Sequence, residues 1–258
     1  MKKRNLVAIG IFLIFYISFG AFLTFNQEQL VYQPGLGNFA NCQAFAEAEK
    51  VQYAGTRMYV SGTEKPVVIL YHGNAGTACN RAFYAALFAD TGYDYVVVEY
   101  AGYSDDPRTP THDLIKQDVK NVIAWLASEN ITDVTLVGES IGAGVASYHT
   151  SLAPPAKLLL ITPFTDLAAV AKQRFWFYPT SLLVENAYDN VANLATYSGP
   201  TYIIHGKKDR LIPYPLGREL YETLQGDKTF ETIEAAGHND LFNSPETVGA
   251  IQTFLSAQ

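Results

Sequence analysis

Ser140 stands in the run VTLVGESIGAGVASY, residues 134–148, between Gly138 and Gly142. A stretch rich in β-branched side chains leads into it and a small-residue helix pattern leads out, so the serine is expected on a tight strand-to-helix turn. Crowding at such a turn favours glycine two positions before and two after the serine, whose hydroxyl is then exposed above the start of the helix. A serine hydroxyl is a weak nucleophile at neutral pH. It requires an imidazole to take its proton and a carboxylate to fix the tautomer of that imidazole.

The chain holds five histidines, His72, His112, His149, His205 and His238. His238, in EAAGHNDLF, follows the last predicted strand and so falls on the sheet edge that carries Ser140. His112 and His149 lie on helix patterns and are expected on the surface, whereas His72 and His205 sit at strand ends, where they would hold loops. For the acid, YIIHGKKDRLIP places Asp209 just after the preceding strand. This gives the chain order Ser, Asp, His. Asp166 and Asp189, within a long insertion, are the weaker candidates. Asp240 is too near His238 in sequence to brace its ring, and Asp105 and Asp106 precede the nucleophile.

Acyl transfer further needs donors aimed at the oxygen that gains charge. The glycine-rich turn YHGNAGT offers the backbone N–H of Asn74, and the start of the helix after the serine offers that of Ile141. The same turn lacks the GK[ST] ending of a phosphate-binding loop. The histidines are scattered, and no metal site or cofactor is expected.

To bring these residues together the chain must build a sheet. Apolar runs in YAGTRMYV, PVVILYH, YDYVVVEY, VTLVG, KLLLIT, TYIIHG and TFETIEA read as strands, the first of them at an edge. Between them THDLIKQDVKNVIAWLASEN sets Ile115, Val119, Val122 and Leu126 on one helical stripe, with Thr111 as its N-cap. Further helices are expected over residues 79–90, 141–152, 213–225 and 245–256, two of them with proline near the start. Alternation of this kind implies an α/β fold, a mostly parallel central sheet with helices on both faces. Residues 163–199 break the rhythm and read as a short cap, whose aromatic run Phe175, Trp176, Phe177 and Tyr178 suits an acyl pocket.

The formal charge of −7 and pI near 5.2 argue against a nucleic-acid partner. Residues 6–25, LVAIGIFLIFYISFGAFLTF, carry no charge and as a helix would extend roughly 30 Å, the thickness of a bilayer's hydrocarbon core. Residues 1–25 are therefore expected to be a membrane anchor, a cleaved signal peptide being the rival reading. Lys2, Lys3 and Arg4 before the span place the N-terminus in the cytoplasm and the rest outside it, in the periplasm if the source is bacterial. Residues 26–41, with Pro34, Gly35 and Gly37, read as a stalk, and 42–258 as the catalytic domain. In an oxidising compartment Cys42 and Cys79 are expected to form a disulfide.

In LYHGNAG, VEYAGYS, VGESIGAGVA, PFTDL, IIHGKKDRLIP and AGHND the chain resembles the α/β-hydrolase superfamily, over residues 65–257. The likeness is to its branch with the turn HGNAG, which includes membrane-associated lipid hydrolases and depalmitoylases. It implies an α/β-hydrolase fold with a short cap and Ser140 as nucleophile, Asp209 as acid and His238 as base, with Asn74 and Ile141 as oxyanion donors. The expected activity is cleavage of carboxylic ester or thioester bonds in small-molecule or lipid substrates through an acyl-enzyme. A serine peptidase on the same fold, or an inactive hydrolase-fold binding protein, is the alternative. The chain departs from the branch in reading EYAGYSD where an Asp-Tyr-Arg-Gly-Tyr-Gly-like segment is usual, and in having Gly142, Ala143, Gly144 at the elbow.

Overall fold

The computed structural model describes residues 3–64, 66–185 and 188–257. Lys2 of the basic cluster and residues 186–187 of the expected cap lie outside the described residues.

The main sheet has eight strands: β1 Glu49–Tyr53, β2 Thr56–Val60, β3 Val67–Tyr71, β4 Asp94–Glu99, β5 Val134–Glu139, β6 Lys157–Ile161, β7 Thr201–Gly206 and β8 Lys228–Ile233. Their order across the sheet is β8-β7-β6-β5-β3-β4-β2-β1. Every neighbouring pair from β4 to β8 runs parallel, and only the β1–β2 hairpin and its join to β4 are antiparallel. Strands covered on both faces read as unbroken apolar runs rather than alternating ones. The sequence VVILY of β3 is such a run, and all five residues are buried. Val67, Ile69 and Tyr71 enter one core while Val68 and Leu70 enter the other, as the two-residue period of a strand requires.

The helices are α1 Lys3–Phe25, α2 Gln27–Val31, α3 Ala82–Asp90, α4 His112–Ser128, α5 Ile141–Leu152, α6 Leu167–Arg174, α7 Thr180–Leu183, α8 Asn190–Leu194, α9 Tyr214–Thr223 and α10 Pro245–Ser256. Ile115, Val119 and Val122 of α4, Val145 of α5 and Leu220 of α9 fill one core. Tyr84 and Phe88 of α3 and Ile251 and Phe254 of α10 fill the other. The Thr111 hydroxyl accepts from the Leu114 N–H and caps α4. Between β6 and β7 the chain inserts α6, α7 and α8 over the C-terminal edge of the sheet, within the range expected for a cap.

Three expectations need correction. β2 is not an edge strand. It is wholly buried, and β1, whose polar sequence EKVQY hides its strand character, covers it through a tight turn with Ala54 and Gly55 both at positive φ. His112 and His149 are not on the surface. His112 packs edge-on against Tyr188, and His149, 2% exposed, shares a 2.7 Å hydrogen bond between Nδ1 and the Tyr71 hydroxyl.

The third correction concerns residues 26–41, which are not a stalk standing off the domain. Tyr32 is buried and its hydroxyl lies 2.6 Å from that of Tyr188. Gln33 and Pro34 pair in parallel with Ala75 and Gly76 in the turn after β3. The Glu28 carboxylate accepts from the His112 N–H at the start of α4, and Phe39 joins the second core. Aromatic side chains at 32 and 39 give this segment enough apolar surface to pack, so its proline and glycines mark bends in a docked chain. A disulfide between Cys42 and Cys79 then ties it to the turn before α3.

Among the described residues, α1 is the one helix long and apolar enough to cross a membrane. Its flanks Ile11, Phe12, Ile14 and Phe15 are exposed.

Candidate active site

Ser140 occupies the step from β5 into α5, with φ 57° and ψ −119°. That conformation costs on the order of 1–3 kcal/mol and persists only where its surroundings enforce it. Here the Ser140 N–H donates to the Ile161 carbonyl at 2.9 Å, and the Ser140 carbonyl accepts from the Ala143 N–H. A Cβ on Gly142 would collide with the carbonyl oxygens of Tyr71 and His72, and one on Gly138 with the backbone of Gly142 and Ala143. The close passage of helix over strand thus requires both glycines.

His238 lies in the turn after β8, and Asp209 in the turn after β7. Their side chains meet the serine in a row: Ser140 Oγ is 3.1 Å from His238 Nε2, and His238 Nδ1 is 2.7 Å from Asp209 Oδ2. A carboxylate can only accept, so Nδ1 carries the ring hydrogen and Nε2 presents its lone pair to the serine hydroxyl. Ser140 and Asp209 are each 6% exposed. The other candidate carboxylates are employed elsewhere. Asp166 caps α6 by accepting from Ala169 N–H, Asp189 caps α8 by accepting from Ala192 N–H, and Asp240 accepts from Gly237 N–H.

Burial by itself would raise the Asp209 carboxyl, but the nearby His205, the hydrogen bond and charge of His238 and the hydrogen bond from the Ile212 N–H outweigh it. The group is held far below the usual carboxylate range, so it is ionised whenever the protein is folded near neutral pH. His205, expected at a strand end to hold a loop, does so, and its place beside Asp209 is the part missed in the sequence. Its Nε2 donates to the Ile212 carbonyl at 3.0 Å and lies 3.5 Å from Asp209 Oδ2. The spacing of four residues between them was the available signal.

Asn74 lies in the turn after β3, which is gripped from several sides. The Tyr100 hydroxyl donates to the His72 carbonyl, and the Tyr103 hydroxyl and Gln33 N–H donate to the Asn74 carbonyl. The Asn74 side-chain amide donates to the Val31 carbonyl. Among the described residues the backbone N–H groups of Asn74 and Ile141 have no acceptor, and both residues border the cavity beside Ser140. Next to the serine, Arg81 holds Glu139 through Nε and Nη2 at 2.9–3.1 Å.

Over the row lies a cavity of about 560 Å³. Phe164, Leu167, Val170, Phe175, Tyr178 and Leu183 line its cap side. It is also lined by Leu23, Thr24, Gln27, Leu30 and Val31, at the junction of α1 with α2, which sequence reasoning had placed outside the domain. Of the expected aromatic run only Phe175 and Tyr178 reach the cavity. Trp176 and Phe177 point away and are 77% and 45% exposed.

Residues 67–185 match the model of the α/β-hydrolase family. An uncharacterized protein of Mycobacterium tuberculosis is 27% identical over 250 residues, covering 91% of this chain and 89% of its own. Lysophosphatidylserine lipase ABHD12 of Mus musculus is 29% identical over 220 residues, 73% of this chain and 55% of the lipase, so the chain spans about half the length of that relative. Among solved structures an esterase of Pyrococcus furiosus superposes with a TM-score of 0.68 at 16% identity, covering 87% of this chain and 98% of that one. An esterase from Exiguobacterium antarcticum gives 0.61 at 19%, covering 81% and 100%. With the family model and these superpositions in agreement with the strand order, the chain has the α/β-hydrolase fold.

Proposed function

We propose that the protein is a membrane-anchored serine hydrolase that cleaves carboxylic ester bonds, and by the same chemistry thioesters, through an acyl-enzyme. The observation that carries this reading is the hydrogen-bonded row from Ser140 through His238 to Asp209 at the floor of an apolar cavity. Ser140 Oγ attacks the acyl carbon as its proton passes to His238 Nε2. The charge arising on the carbonyl oxygen is met by the N–H groups of Asn74 and Ile141, where loss of one donor costs about 3–4 kcal/mol of transition-state stabilisation. Collapse breaks the bond to the leaving oxygen or sulfur, which takes the proton from the imidazolium. Water then gives a proton to His238, attacks the acyl carbon, and releases the acid with Ser140 restored. Asp209 remains ionised throughout and stabilises the imidazolium.

The similarity to a lipase acting on lysophosphatidylserine and the apolar lining of the cavity favour an acyl lipid as substrate. The disulfide supports a domain in an oxidising compartment, in keeping with an N-terminus on the cytoplasmic side of α1.

The test is Ser140→Ala. It should abolish both turnover of short p-nitrophenyl esters and labelling by a fluorophosphonate probe while the thermal unfolding transition stays within a few degrees of wild type. Undiminished labelling of the variant overturns the nucleophile.

A further inference from the structure

The anchor helix and the cap touch well inside the span. The ring of Tyr178 stacks on that of Tyr16 at 4.4 Å between centroids, and it lies against Gly20, where a Cβ would come within 2.8 Å of it. The Tyr178 hydroxyl donates to the Tyr16 carbonyl at 2.6 Å, and the Tyr16 hydroxyl donates to the Phe177 carbonyl at 2.7 Å. Tyr16 lies nine residues before the end of α1 at Phe25, which at 1.5 Å per residue is roughly 13 Å down the helix axis. The segment around 176–178 is therefore held beside the middle of the span, not above its end.

That position explains the side chains there. Trp176, Phe177 and Leu182 are exposed at 77%, 45% and 81%. They extend the exposed apolar flank of α1 itself. In water this would be an unprotected hydrophobic patch; beside a helix crossing a bilayer it faces acyl chains. Lys172 and Arg174, exposed in the last turn of α6 just before the patch, put two cations beside it, as suits an anionic lipid surface. The cavity has the same geometry from within. Its lining joins the last turn of the span, at Leu23 and Thr24, to Phe175 and Tyr178 of the cap.

From this we infer that the cap tip formed by Trp176, Phe177 and Leu182 is inserted in the outer leaflet alongside α1. The cavity between span and cap then takes the acyl chain of a lipid directly from that leaflet. The partner is the bilayer itself, and the inference rests on the hydrolase reading for its substrate and on α1 as the span. The site admits a lipid without lifting its chain through water. That step is otherwise unfavourable in proportion to the methylenes exposed.

The experiment uses the full-length protein reconstituted in phosphatidylcholine vesicles that carry bromine midway along one acyl chain, against bromine-free vesicles. Wild-type tryptophan emission should be quenched by the bromolipid, and the quenched component should be missing in Trp176→Phe. Equal quenching of wild type and Trp176→Phe, or none in either, overturns the insertion.

A second arm uses Trp176→Ser with Phe177→Ser, neither of which lines the cavity. Hydrolysis of a long-chain ester embedded in the vesicles should fall about tenfold, while a water-soluble short ester is cleaved at the wild-type rate. Equal turnover of both substrates relative to wild type overturns lateral access. Fluorophosphonate labelling of Ser140 in the same vesicles separates the two ideas: labelling without quenching sinks the insertion alone, and quenching without labelling sinks the hydrolase reading alone.

Discussion

Replacing Asp209 by asparagine changes one atom of the proposed triad and sets two demands against each other. Oδ1 of Asp209 accepts from the Leu211 and Ile212 N–H groups at 2.8 and 2.9 Å, while Oδ2 accepts from His238 Nδ1 at 2.7 Å. An asparagine has one oxygen to serve both sides. Keeping it on the two backbone donors preserves two hydrogen bonds, each worth about 1 kcal/mol, so the amide nitrogen must face His238. A nitrogen that only donates forces the ring hydrogen from Nδ1 to Nε2, and Nε2 then points a hydrogen at Ser140 instead of a lone pair. The serine loses its base while the loop keeps its shape. The expected loss in kcat/KM is about 10⁴-fold, close to 5.5 kcal/mol.

The unfolding free energy should meanwhile fall less than in Asp209→Ala, because the two backbone N–H groups keep their acceptor. Asp209→Ala would lose activity too, but by leaving two N–H groups without an acceptor it should also destabilise the fold, by about 1–3 kcal/mol for each group so stranded. The assay is p-nitrophenyl ester hydrolysis alongside urea denaturation of both variants. An Asp209→Asn protein with activity within tenfold of wild type would refute the argument.

Two other predictions concern stability. The Cys42–Cys79 bridge closes a loop across 37 positions, so replacing both cysteines by serine should lower the unfolding free energy by about 4 kcal/mol, measured by denaturant titration without reductant. Burial pushes His149 from 6.5 down to about 3, so in acid the unfolded chain takes up a proton that the folded chain refuses. Its contribution is complete above pH 6.5 and is lost as pH falls toward 3, which amounts to about 2 kcal/mol at pH 5. Asp118 acts in the opposite sense, because burial raises it to about 6 and it gains stability from protonation in the fold. Comparing wild type with His149→Gln cancels that contribution. The variant should lose less stability than wild type between pH 7.5 and 5, and equal losses would refute the assignment.

The sheet was legible in the chain because strands buried on both faces announce themselves as apolar runs, and the helices because Val119 and Val122 recur with the helical period. The residues of the row were legible for a local reason: the elbow needs glycine at 138 and 142, and strand ends limit where a partner can stand. β1 was hidden because an edge strand that faces solvent need not be apolar, as EKVQY shows. His149 was misplaced because its hydrogen bond is to Tyr71, distant in sequence. The docking of residues 26–41 was hidden for the same reason, as Tyr32, Gln33 and Glu28 find their partners at Tyr188, Asn74 and the start of α4. Pairings across such distances leave no periodic trace in the sequence.

The short parallel pairing of Gln33–Pro34 with Ala75–Gly76 joins the leader to the turn that bears Asn74. A nick ahead of Tyr32 would take away one wall of the cavity and the Val31 carbonyl that holds the Asn74 side chain, while leaving the pairing of Gln33 and Pro34 in place. Solubilising the protein by trimming its front end would thus open the cavity beside Ser140 to solvent.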